Sequence, residues 1–151
     1  MTPRPVAGEA VGPAAAAAAA AAPASPVLAD ACALIVFYHL AGGGMSPRGL
    51  AAMGGPVLVS PITVWELTRK TADGKLPAPR LADASNWVDF LARRGFAPAP
   101  LTWEAAALAN ALPPHHRDPM DRMLIATALA AGLPIVTNDP AFAAYGVPTL
   151  W

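Results

Sequence analysis

The segment from His115 to Asp139, HHRDPMDRMLIATALAAGLPIVTND, constrains the fold more than any other part of the chain. It reads as a loop, a helix, a short turn and a strand, with acids where the structure changes. Asp118 takes the N-cap position, where a carboxylate accepts from backbone N–H groups that lack a helical partner, and Pro119 suits the first helical residue. Asp121 follows three residues behind the cap, so the positive end of the helix dipole lies among carboxylates. Met120, Leu124, Ala128 and Ala131 recur at helical spacing before Gly132 closes the helix. Leu133-Pro134-Ile135-Val136 is then a short apolar run of the kind buried in a sheet, and Asp139 comes just after it.

Similar runs recur along the chain. Pro26 to Ala29 ends on Asp30, and Ala33 to Leu40 reads as a helix stopped at Gly42-Gly43-Gly44. Ser46-Pro47 starts a short helix through Met53. Val57 to Val59 is a second strand, and Ser60-Pro61 opens a helix through about Thr71 that carries Trp65, Glu66, Leu67 and Lys70. Leu81 to Arg94 places Leu81, Ala84, Trp87, Val88 and Leu91 at helical spacing, with Gly95 as the stop. Phe96 to Leu101 is a proline-marked strand suited to a sheet edge, and Thr102 caps an alanine-rich helix ending at Pro113-Pro114. A helical turn from Pro140 to Tyr145 precedes a last strand within Val147 to Trp151. Strands alternating with helices at this spacing predict an α/β fold on a parallel sheet. Such sheets gather functional residues beyond the carboxyl ends of their strands, so Asp30, Glu66, Asp121 and Asp139 are expected on one rim.

With 151 residues, 55% hydrophobic and 13% charged, the chain has room for one well-buried core. Lys and Arg together number 10, as do Asp and Glu, so no global positive field draws nucleic acid and any such contact needs a local patch. The single cysteine, Cys32, excludes an intrachain disulfide framework and a cysteine-rich metal site, which fits a reducing, cytoplasmic setting. Residues 1–25 differ from the rest: prolines bracket an uninterrupted alanine run, Ala14 to Ala22, and this stretch is expected to be a disordered tail ahead of a domain spanning 26–151. It lacks the basic start and leucine-rich core of a secretory leader, and no apolar run is long enough to span a membrane.

Each acid alone has an ordinary explanation. Asp118 is sufficiently explained as a cap, Asp139 before Pro140 caps the next turn, and Glu66 with Lys70 forms a surface pair worth only about 0.2–0.5 kcal/mol. Together they are harder to explain, because carboxylates that close raise one another's pKa unless a cation joins them. Oxygen donors without cysteine or well-spaced histidine suit a hard ion, Mg²⁺ or Mn²⁺. Such a site suits phosphodiester hydrolysis, in which the ion lowers the pKa of a water and neutralises the leaving oxygen.

In the stretches VLADACALI, VSPITVWELTRKTADGKL and HHRDPMDRMLIATALAAGLPIVTNDPAFAAYGV, the chain resembles the PIN-domain nucleases, and more narrowly the VapC-type toxins of bacterial toxin–antitoxin pairs. The resemblance runs from about Pro26 to the C-terminus and places the family's four acids on Asp30, Glu66, Asp121 and Asp139. It implies a three-layer α/β/α sandwich with a central, mainly parallel sheet of four to five strands. It also implies a Mg²⁺- or Mn²⁺-dependent endoribonuclease, a homodimer, and a VapB-like antitoxin that blocks the groove. Many relatives carry Thr or Ser after the first acid, where this chain has Ala31 and Cys32. That departure removes a hydroxyl from the expected metal surroundings and keeps open a second reading, a catalytically impaired RNA- or protein-binding module.

The remaining candidates are supporting ones. Ser60, Thr137 and Asp118 are expected to add oxygens to the acid rim. Arg117 and Arg122 flank the carboxylates and are candidates for RNA phosphate, with Arg122 alternatively bridging acids. His115 and His116 offer acid–base chemistry, but adjacent histidines rarely converge on one atom, and a solvated loop is the favoured reading. Trp65 and Trp87 are expected in the core, and Cys32 as a buried, inert thiol.

Overall fold

The computed structural model describes residues 25–77, 79 and 86–151. The expected tail, apart from its last residue, lies outside the described residues, as do Leu81 and Ala84 of the expected fourth helix. Five short strands are present: β1 Val27–Ala29, β2 Val57–Val59, β3 Ala97–Pro98, β4 Ile135–Val136 and β5 Thr149–Leu150. They form one sheet in the order β3-β2-β1-β4-β5, with every pair parallel. The helices are α1 Ala31–His39, α2 Pro47–Met53, α3 Pro61–Ala72, α4 Trp87–Arg93, α5 Trp103–Ala111 and α6 Pro119–Ala131, followed by a 3₁₀ turn over Pro140–Tyr145.

Strand β1 is the centre, pairing Leu28 with Leu58 on one side and Ile135 on the other. Its side chains alternate across the sheet. Val27 and Ala29 join Val59 and Val136 in a core closed by Leu34 of α1, Met53 of α2, Leu67 of α3 and Trp87, Phe90 and Leu91 of α4. Leu28 and Ile135 face the opposite way, onto Leu124, Ile125 and Ala128 of α6, with Phe142 and Val147. Both faces are covered, which explains why the strands read as continuous apolar runs rather than alternating ones. Among the described strands β3 is an edge, paired with β2 alone, a place that suits Pro98.

Local capping sets the helix starts. Ser46, Ser60, Thr102 and Asp118 all cap as their positions predicted, each accepting a backbone N–H of the first turn. Helix α1 begins two residues before the expected Ala33, because Asp30 is itself the cap and accepts from Ala33 N–H at 2.6 Å. Trp87 is buried and donates from Nε1 to Thr71 Oγ1 at 2.8 Å, whereas Trp65 is 45% exposed and not in the core. Gly49 of α2 leaves space for the backbone of Trp151: a Cβ there would lie 2.6 Å from the Trp151 carbonyl carbon. Among the described residues, no helix is long and apolar enough to cross a membrane.

Candidate metal centre

Because all five strands run the same way, their carboxyl ends share one rim. Asp30 follows β1, Ser60 follows β2 and Thr137 follows β4. Asp30 is buried at 8% exposure, and that burial pushes its carboxyl up to about 6, helped by the charges of Glu66 and Asp121. Hydrogen bonds from Thr137 and Ala33 pull the other way. The Thr137 hydroxyl also accepts from Asp139 N–H at 3.1 Å, so one side chain joins the first and fourth acids. Thr137 thereby provides a hydroxyl at Asp30 that Ala31 does not. The Ser60 hydroxyl is buried and accepts from Ile62 N–H at 3.2 Å as the cap of α3.

Asp121 stands in the first turn of α6, and its carboxyl is likewise pushed up to about 6. Desolvation is the main cause; His116 lowers it, while Asp118, Glu66 and Asp139 raise it. Between the third and fourth acids sits His116, its Nε2 3.1 Å from Asp121 Oδ2 and 3.0 Å from Asp139 Oδ2. The expected solvated loop is therefore corrected at this residue: the His116 side chain is only 15% exposed, and its ring packs edge-on against Phe142. Sequence reasoning underweighted it because its partners are set by the tertiary fold. The available signal was its place just before a helix whose N-terminus meets the strand rim.

The loop is held by Arg122, which is placed differently from the expectation that it would reach phosphate or bridge acids. Its guanidinium donates to the carbonyls of Leu112 at 2.6 Å, Pro113 at 2.8 Å and His116 at 3.2 Å. Tyr145 completes the clasp, donating to Pro113 O at 2.8 Å and accepting from His116 N–H at 2.7 Å. Arg117 is exposed, and Asp118 is engaged as the cap, accepting from Met120 N–H at 2.8 Å.

Glu66 reaches the rim through α3. The buried Thr63 donates to Ala29 O at 3.2 Å, tying the first turn of α3 to the end of β1. Glu66, one turn on, bonds Lys70 at 2.6 Å, and its charge acts on both Asp30 and Asp121. A cleft between α3 and the start of α6 is lined by Trp65, Glu66, Arg69, Lys70, Lys75 and Asp121, among others. Arg69 lies over the Trp65 ring at 5.2 Å. Cys32, half-buried on α1, has its thiol pKa pushed up by burial and by the Asp30 charge, which favours the unreactive thiol.

The donor chemistry fits a hard divalent ion. Two carboxyls that lose water and repel other acids gain most from a nearby cation, and ligand atoms of His116, Asp121 and Asp139 lie within 4.8 Å of one another. Glu66 acts on Asp121 through its charge and Asp121 acts on Asp30, but neither Asp30 nor Glu66 belongs to that tight trio.

A family-wide sequence profile of the PIN domain matches residues 27–148. Among curated proteins, none matches the chain. Solved structures with the same fold include FitAB bound to an IR36 DNA fragment, with a TM-score of 0.54 at 19% identity over 82% of this chain and 93% of that one. VapBC2 from Rickettsia felis, bound to a DNA fragment from its promoter, has a TM-score of 0.55 at 13% identity over 83% and 97%. FitAcB from Neisseria gonorrhoeae has a TM-score of 0.51 at 18% identity over 83% and 96%. An all-parallel five-stranded sheet covered by helices on both faces, with acids gathered at its carboxyl rim, agrees with the profile match: the chain belongs to the PIN-domain family.

Proposed function

We propose that this protein is a Mg²⁺- or Mn²⁺-dependent endoribonuclease toxin of the VapC type, neutralised by a VapB-like antitoxin. The observation that carries the reading is the convergence of Asp30, Glu66, Asp121 and Asp139 at the carboxyl rim of a PIN-domain sheet, where Glu66 and Asp121 act on Asp30 and Glu66 and Asp139 act on Asp121 through their charges. The four carboxylates would hold the ion, with Thr137 orienting Asp30 and Asp139. When bound, the ion supplies charge neutralisation at the scissile phosphate and a more acidic water.

The chain's own residues account for the rest. Arg69, Lys70 and Lys75 line the cleft, paired there with Asp73 and Glu66, and are the cations that backbone phosphates would meet beside the acids. Trp65 offers a flat apolar face in the same cleft, suited to an unstacked base of single-stranded RNA. An antitoxin acting on this site would fill the same cleft. A homodimer belongs to the same reading, and Trp103, 92% exposed, is an apolar side chain that a second copy would cover.

The test is incubation of antitoxin-free protein with total RNA in EDTA, Mg²⁺ and Mn²⁺, beside Asp30→Ala. Cleavage that needs metal and vanishes in the variant is expected. Absence of cleavage together with no metal binding by calorimetry would favour a non-catalytic binding module.

A further inference from the structure

His116 stands between two of the acids, and its ring orientation can be read from its other nitrogen. Asp118 N–H donates to His116 Nδ1 at 3.2 Å. A ring nitrogen that accepts a hydrogen bond carries no proton, so in this arrangement the proton is on Nε2. That nitrogen faces Asp121 Oδ2 at 3.1 Å and Asp139 Oδ2 at 3.0 Å. We propose that His116 is a positioning residue whose Nε2–H bridges Asp121 and Asp139 and presets the two carboxylates to receive a divalent cation, without itself becoming a ligand.

Resting on the metal-site reading above, this assignment follows from how completely the ring is held. Its backbone N–H donates to Tyr145 Oη at 2.7 Å, its carbonyl accepts from Arg122 at 3.2 Å, and its ring lies edge-on to Phe142 with centroids 5.9 Å apart. Ligation through Nε2 would move the ring's proton to Nδ1, where it would face the Asp118 N–H, donor against donor. Asp118 cannot turn away at little cost, because its carboxylate already caps α6 through Met120 N–H at 2.8 Å. The ring is therefore built to donate to the carboxylates, fixing their orientation while leaving their remaining lone pairs for the ion.

Two measurements test it on the full chain. Nitrogen-15 side-chain spectra of the wild type should show His116 protonated at Nε2 and unprotonated at Nδ1, both in EDTA and in saturating Mg²⁺. Calorimetry with Mn²⁺ should show about 10- to 100-fold weaker binding by His116→Phe, which keeps a ring against Phe142 but has no N–H. His116→Gln, whose amide can donate, should recover most of the affinity. A Mg²⁺-bound spectrum with Nε2 unprotonated would make His116 a ligand and overturn the proposal. So would a folded Phe variant that binds Mn²⁺ as tightly as the wild type, and in that case the metal-site reading itself survives. A wild type that binds neither ion overturns both. The wild-type spectra decide the matter even where the Phe variant does not fold.

Discussion

Replacing Asp30 with asparagine should make the metal-free protein more stable at neutral pH. The Asp30 carboxyl is raised from 3.8 to about 6, chiefly by burial, so the folded state binds its proton more tightly than the unfolded chain does. Stability from this group is therefore fully present below about pH 4, falls as pH rises toward 6, and stays low above it. At 1.36 kcal/mol for each tenfold change in proton affinity, ionised Asp30 costs the fold about 3 kcal/mol as an upper bound. Asparagine keeps the cap, since its amide oxygen can still accept from Ala33 N–H, and it carries no charge to desolvate. Thermal or urea unfolding in EDTA at pH 7.5 should show Asp30→Asn more stable than wild type by about 1–3 kcal/mol, with the gain largely gone at pH 4. A variant that is less stable at pH 7.5, or equally shifted at both pH values, would refute the idea that rim acids are held in the fold at an electrostatic cost.

Three further outcomes are expected. Adding Mg²⁺ or Mn²⁺ to EDTA-stripped wild type at pH 7.5 should raise its melting temperature, by the equivalent of about 2.7 kcal/mol at a hundredfold excess over Kd, and Asp121→Ala should lose most of that gain in a thermal-shift series. Arg122→Met removes a cation from three carbonyls and should lower the urea midpoint by the equivalent of about 2–3 kcal/mol with an unchanged slope. Gly49→Ala places a methyl 2.6 Å from the Trp151 carbonyl carbon and should destabilise by about 1–3 kcal/mol; unchanged melting would mean that the terminal residue moves aside freely.

Most of the architecture was legible because local chemistry and tertiary demand agree. Ser46-Pro47 and Ser60-Pro61 place helix starts that the structure retains, and the buried run Val57–Val59 is a strand with the expected bounds. Strand β3 shrinks to Ala97–Pro98, since only that much of the proline-marked run pairs with β2. The fourth helix is described from Trp87 onward, capped by Asn86. The nearness of the four acids to one rim was legible because parallel strands deliver their ends to one side, whereas the tight grouping of Asp121 and Asp139 with His116 was not. The roles of the residues around them were not, because they depend on chain crossings with no local signature. Arg122 reads as a phosphate contact or a bridge between acids, yet its partners are carbonyls on the preceding loop. Trp65 reads as core by its type, yet it lines the cleft with Arg69 over its ring.

The place of β1 at the middle of the sheet has a consequence for how the molecule comes into being. Leu28 must pair with Ile135, from opposite ends of the described chain, and such non-local pairing makes folding slow relative to helical bundles. During synthesis, at about 5–20 residues per second, β1 and β2 emerge first, and β4, with Thr137 and Asp139 behind it, emerges only after the helices between them. The rim is thus assembled last. A nascent or truncated chain that carries Asp30, Glu66 and even Asp121 still lacks the strand that anchors the final acid, so the proposed metal site is complete only when nearly the whole domain has left the ribosome.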